Sequence, residues 1–158
     1  QGKITVIGVP DVPGAAARLF AVVAEAGANI DMIVQNVSSQ DTGLTDISFT
    51  LPEADGQATL AALRDAPDLE FADLQYDDQI GKLSLVGAGM RTHPGVSAKL
   101  FGALFDAGIN IEMISTSEIR ISVVTRTEDL EAAVRAVHTA FELDSEDTEA
   151  VVYGGSGR

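Results

Sequence analysis

The sequence contains no cysteine, which removes several chemistries at once. Disulfides, thiolate zinc sites and cysteine nucleophiles are all excluded. Long apolar runs are missing as well, and none approaches the ~20 residues that a membrane-spanning helix requires. No signal peptide is visible, but the chain begins at Gln1 rather than Met, so we expect it to be the C-terminal part of a longer protein. We expect a cytoplasmic protein with no membrane partner.

Basic residues are scarce, because 10 Lys and Arg stand against 24 Asp and Glu, a formal net charge of −14. Nucleic acids and anionic membrane surfaces bind basic patches, so we expect neither as a partner. Aromatic residues make up 5% of the chain, which leaves few rings to stack on RNA bases. An RNA-binding module is therefore disfavoured.

Residues suited to catalysis are also few. Of the two histidines, His93 precedes a proline and His138 lies among apolar residues on a predicted helix, so neither is placed as a general base. The glycine-rich residues 86–89 are followed by no Rossmann pattern, and no P-loop is present. The Asp77–Asp78 pair is typical of a solvated turn. We therefore expect no catalytic residue, no metal site and no cofactor.

The sequence does contain an internal repeat. Residues 13–33, PGAAARLFAVVAEAGANIDMI, and residues 94–114, PGVSAKLFGALFDAGINIEMI, are identical at 11 of 21 positions. Duplication of one structural unit explains this similarity, and chance does not. The loop before the second Pro-Gly pair is two residues longer than the loop before the first, so the two halves are not equivalent as ligand sites.

Both halves predict the same order of elements. A strand at residues 4–8 or 83–87 leads into a helix that ends at Gly27 or Gly108, where a left-handed residue is expected. In the first half, further strands are expected at 30–37, 46–51 and 71–76, and a second helix at 54–64. In the second half, further strands are expected at 111–115, 119–125 and 150–153, and a second helix at 128–141. The predicted fold class is α+β: two tandem ferredoxin-like βαββαβ domains, residues 1–78 and 79–158, with helices on one face of each antiparallel four-stranded sheet.

The loop that enters the first helix has the features of an amino-acid site. The first helical amides, at Gly14, Ala15 and Ala16, have no partner inside the helix and attract a carboxylate. Gly14 lets a ligand approach the backbone, and Asp11 supplies a negative charge suited to an ammonium group. The alternative is that Asp11 merely caps the helix and the Pro-Gly pair merely turns the chain. The spacing alone favours neither interpretation.

Longer motifs resemble one protein family. The stretches VPDVPG, NIDMIVQNVSS, TDISFT and STSEIRISV together resemble the regulatory region of aspartate kinase, and above all the separate regulatory β subunit of α2β2-type aspartokinases. The resemblance covers essentially the whole chain, and it identifies the two domains as ACT domains. It implies feedback control of aspartate phosphorylation on the route to lysine, threonine and methionine, by a chain that has no kinase domain of its own.

The resemblance also implies partners and sites. Threonine binds where ACT domains of two chains pair in a homodimer, lysine acts with it in concerted inhibition, and a catalytic α subunit completes the assembly. Asn110 and Ile111, at the start of one second strand, would then lie beside the helix-entry loop of the other domain. The expected effector-binding residues are Asp11, Gly14, Ala15, Ala16, Gln35, Asn110 and Ile111. Positions expected to be sensitive to substitution are Ser38, Thr45, Gly81 and Ser117, with Ser117 and Glu118 as candidates for lysine.

Two other functions compete with this one. An enzyme on a ferredoxin-like fold would need a nucleophile and a base, which the absence of cysteine and the poor histidine content disfavour. A generic amino-acid-sensing ACT module that regulates another enzyme is the closer alternative. Titration with free amino acids distinguishes these hypotheses about function.

Overall fold

A computed structural model describes residues 1–36, 42–87, 95–117, 119–142 and 150–155, with the backbone alone for 142 and 150–155. The chain divides into two compact units, with the boundary between Asp78 and Gln79. Each unit has its own four-stranded sheet and its own buried core. No helix within the described ranges is both long and apolar enough to cross a membrane.

The first unit has the element order β-α-β-β-α-β. Its elements are β1 (Gly2–Pro10), α1 (Ala15–Glu25), β2 (Ile33–Gln35), β3 (Leu44–Leu51), α2 (Glu53–Asp65) and β4 (Asp73–Asp77). The strands lie in the order β2-β3-β1-β4, and each pair of neighbours is antiparallel.

The second unit repeats this order. Its elements are β5 (Ile80–Gly87), α3 (Gly95–Asp106), β6 (Met113–Thr116), β7 (Arg120–Arg126), α4 (Thr127–Glu142) and β8 (Ala150–Gly155). The antiparallel sheet has the order β6-β7-β5-β8. The predicted class, two tandem α+β modules of ferredoxin-like topology, is confirmed.

Alternate strand residues and one side of each helix form the cores. In the first unit, Ile4 of β1, Phe49 of β3, Leu19 of α1 and Leu63 of α2 are all fully buried in one cluster. Both helices therefore cover the same face of the sheet, as the period-two and helical patterns predict. Gly27 and Gly108 have positive φ, 80° and 73°, so the predicted left-handed helix ends are also confirmed.

The second strands begin later than predicted. β2 starts at Ile33 instead of Ile30, and β6 starts at Met113 instead of Ile111. Ile30 and Ile111 are each partly buried against the core of their unit, so the apolar alternation extends to residues that precede the strands. Main-chain bonding to the neighbouring strand is seen from the next residues on, where the Asp31 and Glu112 N–H groups donate to the Thr50 and Val124 carbonyls. An apolar pattern shows which residues are buried and does not show where this bonding begins.

The first strand also ends later than predicted, at Pro10 instead of Gly8. The reason is that β1 has a β-bulge, after which Val9 and Pro10 pair again with β3. The side chains of Ile4 and Val6, at even positions, are buried, and the next buried side chain is that of Val9, at an odd position. One extra residue in β1 produces this change of phase, since successive side chains in a strand point to opposite faces.

Candidate functional site

A concave pocket of about 380 Å³ lies at the end of β1 in the first unit. Its volume is within the range of small-molecule sites, which extends upward from roughly 300 Å³. The lining residues come from the β1–α1 loop, the start of α1, β2 and β3: Val9, Pro10, Asp11, Val12, Pro13, Gly14, Ala15, Ala16, Gln35, Thr45 and Ile47. The pocket thus brings together all five effector-binding residues expected in this unit, and Thr45 beside them.

The helix N-terminus forms one wall. Gly14 is the N-cap residue of α1 and has φ 90° and ψ −16°, a left-handed conformation that side chains with a Cβ rarely adopt. No side chain caps this end by a hydrogen bond, so Asp11 does not cap the helix, although the Pro-Gly pair does turn the chain as the alternative also expected. Asp11 is exposed and lies in the pocket lining instead.

The amides at this end differ in one respect from the expectation. The Ala15 N–H donates to the Val12 carbonyl at 3.2 Å, because residues 12–15 form a tight turn. Ala15 is therefore not among the unpartnered amides, although it lines the pocket. The next amide, at Ala16, belongs to the first helical turn, where the helix supplies no acceptor of its own. The dipole of α1 adds a partial positive charge at this wall.

A second wall belongs to the sheet. Gln35, the last residue of β2, is exposed and pairs with Ile47 of β3. Thr45 is 3% exposed and pairs with Val9 beyond the bulge. Its hydroxyl donates to the Asn36 carbonyl, so its hydrogen is already engaged, whereas its oxygen can still accept. The polar groups of this wall are thus the side-chain amide of Gln35 and the hydroxyl of Thr45, whose direction is set by its bond to Asn36.

The remaining expected residues lie elsewhere in the fold. Asn110 is exposed and Ile111 is half-buried, and both precede β6 instead of starting it. Ser117 is exposed in the turn between β6 and β7, where its N–H donates to the Arg120 carbonyl at 2.7 Å. Ser38, Glu118 and His93, and the longer loop before Pro94, lie outside the described residues.

Gly81 occupies a crowded position on β5. A Cβ placed on it would lie 2.6 Å from Cδ2 of Leu130 in α4, and 3.2 Å from the Leu130 Cβ. Any larger residue at Gly81 must therefore displace the Leu130 side chain, which gives a physical reason for the expected sensitivity to substitution at this position.

Two groups outside the pocket have shifted proton affinities. Burial, and then the positive charge of Arg120, lowers the pKa of Lys82 on β5. Burial, and then the negative charges of Asp78 and Glu53, raises the pKa of Tyr76 on β4. Neither group lines the pocket. Among the side chains that the structure describes, no three Asp, Glu or His residues converge as metal ligands would.

Several pocket residues were not anticipated from the sequence. Val9, Pro10, Val12 and Ile47 line the pocket, and so does Thr45, for which the sequence predicts only sensitivity to substitution. The signal that was present is the change of phase in apolar residues between Val6 and Val9. It marks the bulge that brings Val9 opposite Thr45.

Two βαββαβ modules in tandem, the first with a small-ligand pocket at a helix N-terminus, define the class of the protein. The family model described as ACT domain matches residues 4–66 and 83–141. The aspartokinase of Corynebacterium glutamicum is 54% identical over 159 residues, and the aspartate kinase of Pseudomonas fluorescens is 46% identical over 146 residues. These alignments cover 100% and 92% of this chain but 38% and 35% of the relatives, so the chain spans little more than a third of their length.

Solved structures agree with this assignment. A crystal structure of aspartokinase alpha and beta subunits superposes with a TM-score of 0.81 at 45% identity, covering 89% of this chain and 92% of that one. The ligand-free regulatory subunit of aspartate kinase from Thermus thermophilus gives a TM-score of 0.82 at 42% identity, covering 89% and 91%. The chain belongs to the ACT domain family, within which it corresponds to the regulatory region of the aspartokinases.

Proposed function

We propose that this chain is a feedback subunit that binds threonine in the pocket of its first unit and thereby restrains phosphorylation of aspartate by an aspartokinase catalytic part. The observation that carries the proposal is the pocket itself. It joins an open helix N-terminus, a carboxylate and an amide within about 380 Å³. An α-amino acid carries groups complementary to these: a carboxylate, an ammonium and, in threonine, a hydroxyl.

The polar groups of the pocket match those of threonine one by one. The N-terminal amides and dipole of α1 suit the α-carboxylate, and Asp11 suits the α-ammonium. The side-chain hydroxyl of threonine needs a partner on the sheet wall. We assign it to Gln35, whose side-chain amide can both donate and accept, whereas the Thr45 hydroxyl donates to Asn36 and can only accept from a ligand. The Cγ methyl then faces the apolar lining, which includes Val9 and Ile47.

We further propose that the second unit of another copy of the chain completes the site through Asn110 and Ile111. Both units expose an isoleucine at the same place on the edge strand, Ile33 on β2 at 53% and Ile114 on β6 at 46%. Each also exposes an apolar residue where the chain re-enters the sheet, Leu44 and Ile119. Exposed apolar edge strands favour pairing with another chain, so these edges support a homodimer.

The proposed regulation involves further residues and partners. Lysine would act together with threonine, with Ser117 and Glu118 as its candidate contacts, and substitution at Ser38, Thr45, Gly81 or Ser117 would weaken the control. The catalytic partner would be an aspartokinase α subunit in an α2β2 assembly, in the cytoplasm. Support for such a partner comes from the similar crystal structure that contains aspartokinase alpha and beta subunits.

Calorimetric titration of the chain with threonine and valine tests this proposal, because valine replaces the hydroxyl by a methyl group of similar size. We expect threonine to bind and valine to bind about tenfold or more weakly, since the polar partner of the missing hydroxyl stays unpaired. Titrations with lysine and methionine extend the comparison. If threonine produces no heat at any reachable concentration, or if valine binds as well as threonine, the proposed effector is wrong.

A further inference from the structure

One side chain is bonded directly to the bulge that shapes the pocket. Ile7 and Gly8 of β1 together face the single residue Asp46 of β3, and the pairing changes from Val6 with Ile47 to Val9 with Thr45. The Gly8 N–H donates to Oδ1 of Asp46 at 3.0 Å. A bulge takes a backbone N–H out of the regular ladder, and this carboxylate supplies the missing acceptor.

On its other side, the bulge packs against Ala72. The Ile7 carbonyl accepts from the Ala72 N–H at 2.7 Å, and a Cβ on Gly8 would lie 2.8 Å from the Ala72 Cβ. Gly8 has φ 75°, which favours glycine. The bulge is thus held between Ala72 on one side and Asp46 on the other, and Asp46 is the only one of the two that acts through a side chain.

Asp46 also reaches the second wall of the pocket. Its carbonyl accepts from the Asn36 N–H at 3.0 Å, next to Gln35. We propose that Asp46 is the positioning residue of the effector pocket: its carboxylate fixes the bulge that directs Val9–Gly14 towards the sheet wall. The effector named in the test rests on the proposed function, whereas the position of the loop does not.

Within the described residues of the second unit, the first strand has no such bulge. The pairing of β5 with β7 runs without interruption from Ile80 to Val86, and the residue opposite Val86 is Arg120. At the glycine that corresponds to Gly8, the Gly87 N–H donates to the backbone carbonyl of Ile119 at 2.9 Å. The repeat therefore replaces a side-chain acceptor by a main-chain acceptor, and the carboxylate by a cation. Asp46 accordingly positions a loop in the first unit only.

Three variants separate the position of the acceptor from its charge. Asp46→Asn keeps an acceptor oxygen in place without charge, Asp46→Glu keeps the charge but moves the oxygen by one methylene, and Asp46→Ala removes both. Asp65→Ala, at the exposed end of α2, is the control for loss of a carboxylate. For each variant, amide hydrogen exchange at Gly8 and amide chemical shifts of Val9, Asp11 and Gly14 are measured without ligand, and threonine affinity by calorimetry.

We expect Asp46→Asn and Asp65→Ala to match the parent protein in all three measurements. Asp46→Glu and Asp46→Ala are expected to speed exchange at Gly8, shift the loop amides and weaken threonine binding about tenfold, as loss of one part-buried hydrogen bond to a carboxylate does. Rescue by asparagine but not by glutamate is a pattern that a general loss of stability does not produce, and this pair decides the matter if Asp46→Ala does not fold.

The proposal is overturned if Asp46→Glu leaves the loop amides unchanged, or if Asp46→Asn is as impaired as Asp46→Glu. Should the parent protein bind no threonine, the proposed effector fails, and the ligand-free loop amides still decide the role of Asp46: displaced in Asp46→Glu they support it, and unmoved they refute it.

Discussion

At the scale of single residues, Asp11 and Gln35 line the pocket from different walls, and both are exposed. We expect Asp11→Ala and Gln35→Ala each to weaken threonine binding at least about tenfold, because each removes a proposed direct partner of the ligand. The urea midpoint of unfolding should stay unchanged, since neither side chain is part of the core. Calorimetry and urea titration measure both quantities.

Controls for these two variants lie on α2, away from the pocket. Asp65→Ala and Gln57→Ala remove the same functional groups from exposed positions and should leave threonine affinity unaltered. Threonine affinity retained in both Asp11→Ala and Gln35→Ala would show that the binding site lies elsewhere.

A second residue-scale prediction concerns Tyr76, whose pKa is raised by burial and by nearby carboxylates. In a Tyr153→Phe background, the ultraviolet titration of Tyr76 should have its midpoint above 10.0. The folded state then holds the phenolic proton to higher pH than the unfolded chain does. The stability contribution is therefore fully present below the unfolded pKa and is lost as the pH rises above it. A midpoint at or below the ordinary value contradicts this environment.

At the scale of elements, Tyr76 joins β4 to β1 and α2 through two glycines. A Cβ on Gly2 or on Gly56 would lie 2.7 Å or 2.5 Å from the Tyr76 Oη. Gly56→Ala should therefore lower the free energy of unfolding by about 1–3 kcal/mol, because the ring is displaced. Gly102→Ala, in α3 with no atom within 4 Å of its Cβ, should raise it by about 0.5–1 kcal/mol through helix propensity. Urea unfolding of both variants checks the contrast, and stabilisation by Gly56→Ala refutes the packing of Tyr76.

The elements also show how far sequence alone leads. The repeat and the apolar periodicities predict twelve elements in the observed order, because local patterns determine which faces are buried. The bulge at Gly8 and the late start of β2 are different. Each depends on a partner distant in sequence, Asp46 for the bulge and the pairing with β3 for β2. Five pocket residues were identified from the loop and the resemblance, whereas the carboxylate that holds the loop was not.

At the scale of the whole molecule, the proposed site is shared between two copies of the chain. Threonine should therefore strengthen self-association, because a ligand that bridges two chains stabilises the dimer by mass action. Sedimentation velocity with and without threonine measures this effect. A chain that stays monomeric in both conditions contradicts the shared site.

The edge strand offers a matched pair of variants for the same question. Ile33→Glu places a charge on the exposed edge of the first unit and should weaken the dimer about tenfold or more. Phe105→Glu changes an equally apolar residue, 80% exposed on α3, and should leave the dimer intact. Equal effects of the two substitutions would place the interface somewhere other than the edge strand.

Threonine bound by this chain is proposed to restrain a catalytic partner, and one assay tests this regulation most directly. The chain is combined with an aspartokinase catalytic subunit, and aspartate phosphorylation is measured against threonine concentration, with the Asp11→Ala chain in parallel. Threonine should inhibit the assembly that contains the parent chain and should inhibit the Asp11→Ala assembly only at about tenfold higher concentration. Equal inhibition of the two assemblies, or none of either, would contradict the account.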